Sequence, residues 1–198
     1  NMDPQQRVQQ HIQHNIATLR ETQSSQADVL CAAANRMATA LVQGGKIMTC
    51  GNGGSAALAQ YLSALFINRF DRERPGLPAL ARTADAVCLS TIATDQQYKT
   101  AYAQQIRALA QPADILFVMA AGKSSANLRE AITAAYDRDI AVILLSSEES
   151  SNLAEMLQAD DIEIRVPARV TYRSQEIHLV LLHCLCDLID IDIFGEEL

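Results

Sequence analysis

Three glycines within four residues, Gly51-Asn52-Gly53-Gly54, end the apolar run Ile47 to Cys50 and lead directly into Ser55 and a helix-compatible stretch, Ala56-Ala57-Leu58-Ala59-Gln60. Strand, glycine turn, helix is the arrangement that offers backbone N–H groups and a helix N-terminus to an anion. Ser55 stands where a hydroxyl either caps the helix or touches a bound oxyanion. The same residues also suit a tight strand-to-helix turn that holds nothing. A Walker loop does not fit. No Lys follows these glycines, and Gly122-Lys123-Ser124, which has the right ending, has Phe117 where the first glycine is required. The dinucleotide spacing Gly-x-Gly-x-x-Gly ends on Ala56, a tolerated variant.

A second set of candidates lies near the C-terminus. Gln175, Leu179 and His183 recur every four residues and share one face of a helix. Ile177, Val180, Leu181, Cys184, Leu185 and Leu188 form the other face, which reads as core. His183 is therefore an active-site residue or a half-buried packing histidine. Cys184 and Cys186 are two apart and point away from each other, so they make no shared zinc site. Cys50 reads as a packing residue, and His11 and His14 as surface residues of a helix. Ile193 and Phe194 lie close to the end of the chain. They either tuck onto their own domain or a neighbouring subunit, or form an exposed partner anchor.

These residues must be positioned by a fold that 198 residues can bury as one domain. The apolar fraction of 49% and the charged fraction of 20% are ordinary for an α/β protein. A net charge of −7 argues against direct contact with nucleic acid, which needs a basic face. The five cysteines form no CxxC pair and read as reduced thiols in a cytoplasm. No apolar run approaches a membrane span and no leader is visible, so no membrane partner is expected.

Val8, Ile12, Ile16 and Leu19 form one apolar stripe over residues 4–22, predicting a first helix. A second is predicted over 25–43, ending at Gly44-Gly45. Strands are predicted at 47–50, 77–81, 114–119, 140–146 and 161–166. Helices are predicted at 54–69, 84–93, 98–110, 124–138, 151–157 and 172–191. Five short apolar strands alternating with helices imply a parallel sheet covered on both faces, with ligands bound at the carboxyl ends of its strands. The expected fold is a three-layer αβα sandwich, flavodoxin-like, with a five-stranded parallel sheet and extra N-terminal helices. One domain spans 2–198, with N-terminal helices at about 4–43 and a sheet-and-helix core at about 46–192. The surplus helices suggest a partner surface on another subunit.

Over residues 30–190 the chain resembles the sugar isomerase (SIS) domain family. The resemblance rests on Cys50-Gly51-Asn52-Gly53-Gly54-Ser55, Asn68-Arg69-Phe70 with Glu73-Arg74-Pro75, Gly122 with Ser124-Ser125, Glu163-Ile164-Arg165-Val166-Pro167, and Arg173-Ser174-Gln175-Glu176-Ile177-His178. It is closest to the phosphoheptose isomerases and to their relatives that associate with the replication initiator DnaA (the DiaA group). In the isomerases a His and a Glu come from the helix after the glycine loop, and a Gln and a His from the last helix. The second pair is present as Gln175 and His183; the first falls on Tyr61 and Leu65. Leucine transfers no proton and a phenol is a poor general base at neutral pH. Gln175 and His183 alone are too few for a metal site. The Ser-Thr-Ser run of the isomerase phosphate loop falls on Ala120, Ala121 and Gly122, with Ser125 matching a further serine. Lys123 either restores a positive charge there or is a solvated loop lysine.

The resemblance thus implies a phosphosugar site at Asn52, Gly53, Ser55, Ser124, Ser125 and Gln175, with His183 and Gln175 as the candidate catalytic residues and no metal or other cofactor. With Tyr61, Leu65, Ala120 and Ala121 weighed most, the expected function is a non-catalytic homotetramer. It would bind DnaA through a surface that includes Ile193 and Phe194 and promote initiator assembly at the origin. The alternatives are an isomerase of sedoheptulose 7-phosphate, using His183 and Glu176 as its acid–base pair, and a phosphosugar-binding protein that does not convert its ligand.

Overall fold

A computed structural model describes residues 3–123 and 125–196; the expected phosphosugar contact Ser124 lies outside the described residues. From Pro4 to Val42 the chain is one 39-residue helix, α1, where two were expected. Residues 21–26 contain no Gly or Pro. Ser24 and Ser25 turn their hydroxyls onto the carbonyl of Glu21, at 3.0 and 2.9 Å, so the serines are absorbed within the helix rather than ending it. Asp3 caps the start, and Gly44, at φ +83°, supplies the left-handed turn that ends it.

The remaining elements follow the alternation expected from the apolar runs. They are β1 (Ile47–Gly51), α2 (Gly54–Ile67), β2 (Ala79–Ala81), α3 (Ala86–Asp95), α4 (Ala101–Leu109), β3 (Ile115–Met119), α5 (Ala126–Tyr136), β4 (Ala141–Ser147), α6 (Ser151–Ala154), β5 (Ile162–Val166) and α7 (Thr171–Phe194). The five strands form one parallel sheet in the order β2-β1-β3-β4-β5. Ile115, Phe117 and Met119 face the core shared with α1, α2 and α7, whereas Leu116 and Val118 face the core shared with α4 and α5. This two-sided burial explains why β3 reads as a continuous apolar run rather than an alternating one.

The chain crosses to opposite sides of the sheet after β1 and after β3. In open parallel sheets this switch point opens a crevice at the strand carboxyl ends. The glycine turn follows β1 and the 120–125 loop follows β3, so both arrive there. No helix among the described residues is long and apolar enough to cross a membrane.

Candidate active site

The glycine turn is shaped by what lies beside it. Gly53 adopts φ +56° and ψ −124°, a conformation that suits glycine and strains other residues. Gly54 opens α2 against the side chain of Gln175. A Cβ at Gly54 would lie 2.5 Å from the Gln175 Nε2, so only glycine leaves room for that amide. On the facing loop, a Cβ at Gly122 would lie 2.9 Å from the Thr171 hydroxyl. The two glycines therefore admit two polar side chains from the first two turns of α7.

Between them is a cavity of about 150 Å³, lined by Asn52, Ser55, Gly122, Lys123, Thr171 and Gln175 among others. Helices α2, α5 and α7 all begin at this cavity, and none has a side-chain cap at its N-terminus. Each such end carries unsatisfied N–H groups and a partial positive charge, so their convergence favours an anion. The hydroxyls of Ser55 and Thr171 and the amide of Gln175 make no hydrogen bond among the described residues and remain available.

Asn52 and Ser125 are engaged differently. Asn52 Nδ2 donates to Ser125 Oγ at 2.6 Å and to Asn127 Oδ1 at 2.9 Å. Asn127 Nδ2 donates back to Asn52 Oδ1 at 2.8 Å, and Ser125 donates its proton to Asn127 Oδ1 at 2.6 Å. Tyr102 is buried and donates to the Gly51 carbonyl at 2.6 Å, with Asn52 Oδ1 at 3.2 Å. Both amide protons of Asn52 are thus spent within the protein. This network ties the glycine turn to the start of α5. Burial pushes the Tyr102 hydroxyl far above its usual range, so it remains a neutral donor.

A second group of residues lies further along α2 and α7. Tyr61 Oη is 3.0 Å from His183 Nε2. Phe70 stacks on the imidazole, with centroids 5.4 Å apart and planes at 29°. Leu65 is half-buried and packs against the core, so no carboxylate occupies its position. Arg74 explains the Glu73-Arg74-Pro75 stretch: it donates to the carbonyls of Leu65 and Phe66 at 3.0 and 2.8 Å, ending α2, and to buried Asp190 of α7 at 2.7 Å. Among the described residues no three His, Cys, Asp or Glu side chains stand together as a metal site requires. This donor set does not fit a metal.

Several expected roles are corrected by this geometry. Glu176 is not placed to act as an acid–base partner of His183. It is held by Arg173 and by Asn15 of α1, whose amide donates to it at 2.7 Å. Ile193 and Phe194 are half-buried against the core, and the Arg72 guanidinium lies over the Phe194 ring at 5.9 Å, so the tip folds onto its own domain. Cys50, by contrast, is the packing residue it was expected to be, its thiol pKa pushed up to about 12 by burial. Sequence reasoning missed Thr171, Asn127 and Tyr102, whose hydroxyl and amide groups lie far in sequence from the motif they serve.

The chain belongs to the SIS domain family, whose model matches residues 10–147. It is 45% identical over 194 residues to the phosphoheptose isomerase of Alkalilimnicola ehrlichii, covering 98% of this chain and 99% of that protein. It is 44% identical over 195 residues to that of Methylococcus capsulatus, covering 98% and 100%. Its fold is similar to the phosphoheptose isomerase GmhA from Neisseria gonorrhoeae, at TM-score 0.89 and 36% identity over 95% of this chain and 99% of that one.

These similarities overturn the expectation of a non-catalytic DnaA-binding protein. Relatives matched over nearly their whole length are named phosphoheptose isomerase, and they point to a phosphosugar isomerase. The earlier expectation treated Tyr61 as a lost wall of the site. In the structure its hydroxyl meets His183, so that position still carries a protic group.

Proposed function

We propose that the chain is a phosphosugar isomerase of the phosphoheptose type, interconverting a seven-carbon ketose phosphate such as sedoheptulose 7-phosphate with its aldose isomer. The observation that carries this reading is the convergence of three uncapped helix N-termini on a cavity of about 150 Å³, roomy enough for a phosphate group. Ser55, Thr171, Gln175 and the N–H groups around Gly53 bind the phosphate. Asn52 and Ser125 shape the cradle, and the exposed Lys123 adds positive charge at its rim.

Gln175 and His183 are eight residues apart on one helix face, about 12 Å along the axis. Ordinary covalent lengths put the reacting carbons of an extended seven-carbon sugar roughly 10 Å from its terminal phosphorus. A phosphate in the cradle therefore brings C1 and C2 to His183, which serves as the base. Incubation with sedoheptulose 7-phosphate, followed by product analysis, tests the reading. Conversion is expected; binding without conversion would support a sensor instead, and the absence of both would refute the site.

The same reading includes self-association into a homotetramer through α1. Val8, Ile12 and Ile16 form a stripe that is 59%, 55% and 42% exposed. An apolar groove lined by Ile16, Leu19, Leu30, Val180 and Leu181 continues it between α1 and α7. Light scattering should give a mass near four times 21.6 kDa, and a mass near one chain would end this part of the proposal. All five cysteines are free thiols, which suits a reducing cytoplasm.

A further inference from the structure

We infer that Tyr61 is the second proton-transfer residue of the site, acting as general acid opposite His183. The inference rests on the isomerase reading and deepens it. Tyr61 is the one side chain whose protic group lies within hydrogen-bond distance of the His183 ring among the described residues, Oη to Nε2 at 3.0 Å. The tyrosine ring meets the imidazole edge-on, with centroids 5.8 Å apart and planes at 73°, while Phe70 stacks on it. The imidazole therefore contacts two aromatic rings, with its Nε2 turned toward a hydroxyl. Tyr61 is 39% exposed, and Leu65, one turn along α2, offers no competing acid.

The chemistry balances with these two groups. Neutral His183 removes a proton from C1 of the ketose. The C1–H electron pair forms the C1=C2 bond, and the C2=O π pair moves to O2, which takes the Tyr61 proton. The resulting enediol is neutral, with an imidazolium on one side and a phenolate on the other. The imidazolium then returns its proton to C2. The O1 proton passes to the phenolate as the C1=O bond forms, giving the aldose and restoring both residues. No net oxidation occurs and no further reactant is needed. In the free protein the two side chains satisfy each other; bound substrate inserts its O1 and O2 between them.

The test is Tyr61→Phe, which removes the hydroxyl and keeps the ring that packs on His183. Parent and variant are compared for kcat and KM with sedoheptulose 7-phosphate and for solvent deuterium uptake into the sugar. Loss of one general acid lowers kcat by ~10²–10⁴-fold. KM should change by less than about threefold, because the phosphate cradle is intact, and melting temperature should be unchanged. A merely structural role would move KM or melting, not kcat alone. A variant kcat within about threefold of the parent overturns the inference and leaves the isomerase reading standing. Failure of the parent itself to convert or exchange the substrate overturns that reading and the inference with it.

Discussion

The side-chain amide of Gln175 lies where a Cβ of residue 54 would be: that atom would stand 2.5 Å from Nε2 and 2.7 Å from Oε1. Gly54 is the first residue of α2, so the amide sits from α7 against the glycine turn across the cavity. Gly54→Ala suits a helix and should leave stability unchanged or slightly improved, by up to ~1 kcal/mol. Gln175 is the flexible partner and must swing out of the cradle. We expect KM for the sugar phosphate to rise about tenfold or more, the equivalent of one charge-assisted hydrogen bond of roughly 1.5 kcal/mol. Denaturant melting and steady-state kinetics on the same preparation check both halves, and an unchanged KM would show that Gln175 does not hold the ligand.

Arg74→Met should be costly. The Arg74 and Asp190 side chains are 1% and 4% exposed, and the guanidinium also closes the end of α2. Burial raises the Asp190 carboxyl and Arg74 opposes that rise, so removal of the cation leaves a buried acid without its partner. Removing one member of a buried pair destabilises by about 3–5 kcal/mol. Urea unfolding should show this loss, and Asp190→Leu placed on the same background should recover part of it. A loss below 1 kcal/mol would mean that water reaches the pair.

His178 gives the protein a pH-dependent stability apart from catalysis. Its Nε2–H donates to the Ser146 carbonyl at 3.0 Å, and its Nδ1 is buried with no hydrogen-bond partner among the described residues. Burial lowers its pKa from 6.5 to about 4, partly offset by the Ser146 hydrogen bond. Between those values the unfolded chain binds the proton and the folded chain does not. Stability contributed by the neutral ring is therefore complete above pH 6.5 and falls as the pH drops toward 4, by roughly 3 kcal/mol in all. Unfolding midpoints measured from pH 7.5 down to 4.5 should fall along this course in the parent and more gently in His178→Gln. Parallel curves would show that the ring titrates alike in both states.

The fold was legible because the central strands β1, β3 and β4 are buried on both faces, which leaves unbroken apolar runs such as Ile-Leu-Phe-Val-Met at 115–119. The break expected in α1 was not, because Ser24 and Ser25 can cap a helix or bond back within one, and only the backbone context decides. That Gln175 and His183 lie on one helix was legible from their spacing of eight residues, with Leu179 midway. Thr171, Asn127 and Tyr102 were not: each is an ordinary polar residue until the sheet brings α4, α5 and α7 to the glycine turn. Tyr61 was read as a missing histidine, and only its distance to His183 reveals a protic partner.

The central claim is that this chain converts a seven-carbon sugar phosphate with His183 as base. Its most direct test is steady-state turnover of sedoheptulose 7-phosphate by the parent and by His183→Asn, with thermal melting as the control for folding. The account predicts measurable conversion by the parent, and a kcat lower by ~10²–10⁴-fold in a variant that melts like the parent. Parent turnover that survives His183→Asn unchanged, or a parent that binds the sugar phosphate without converting it, would contradict the account.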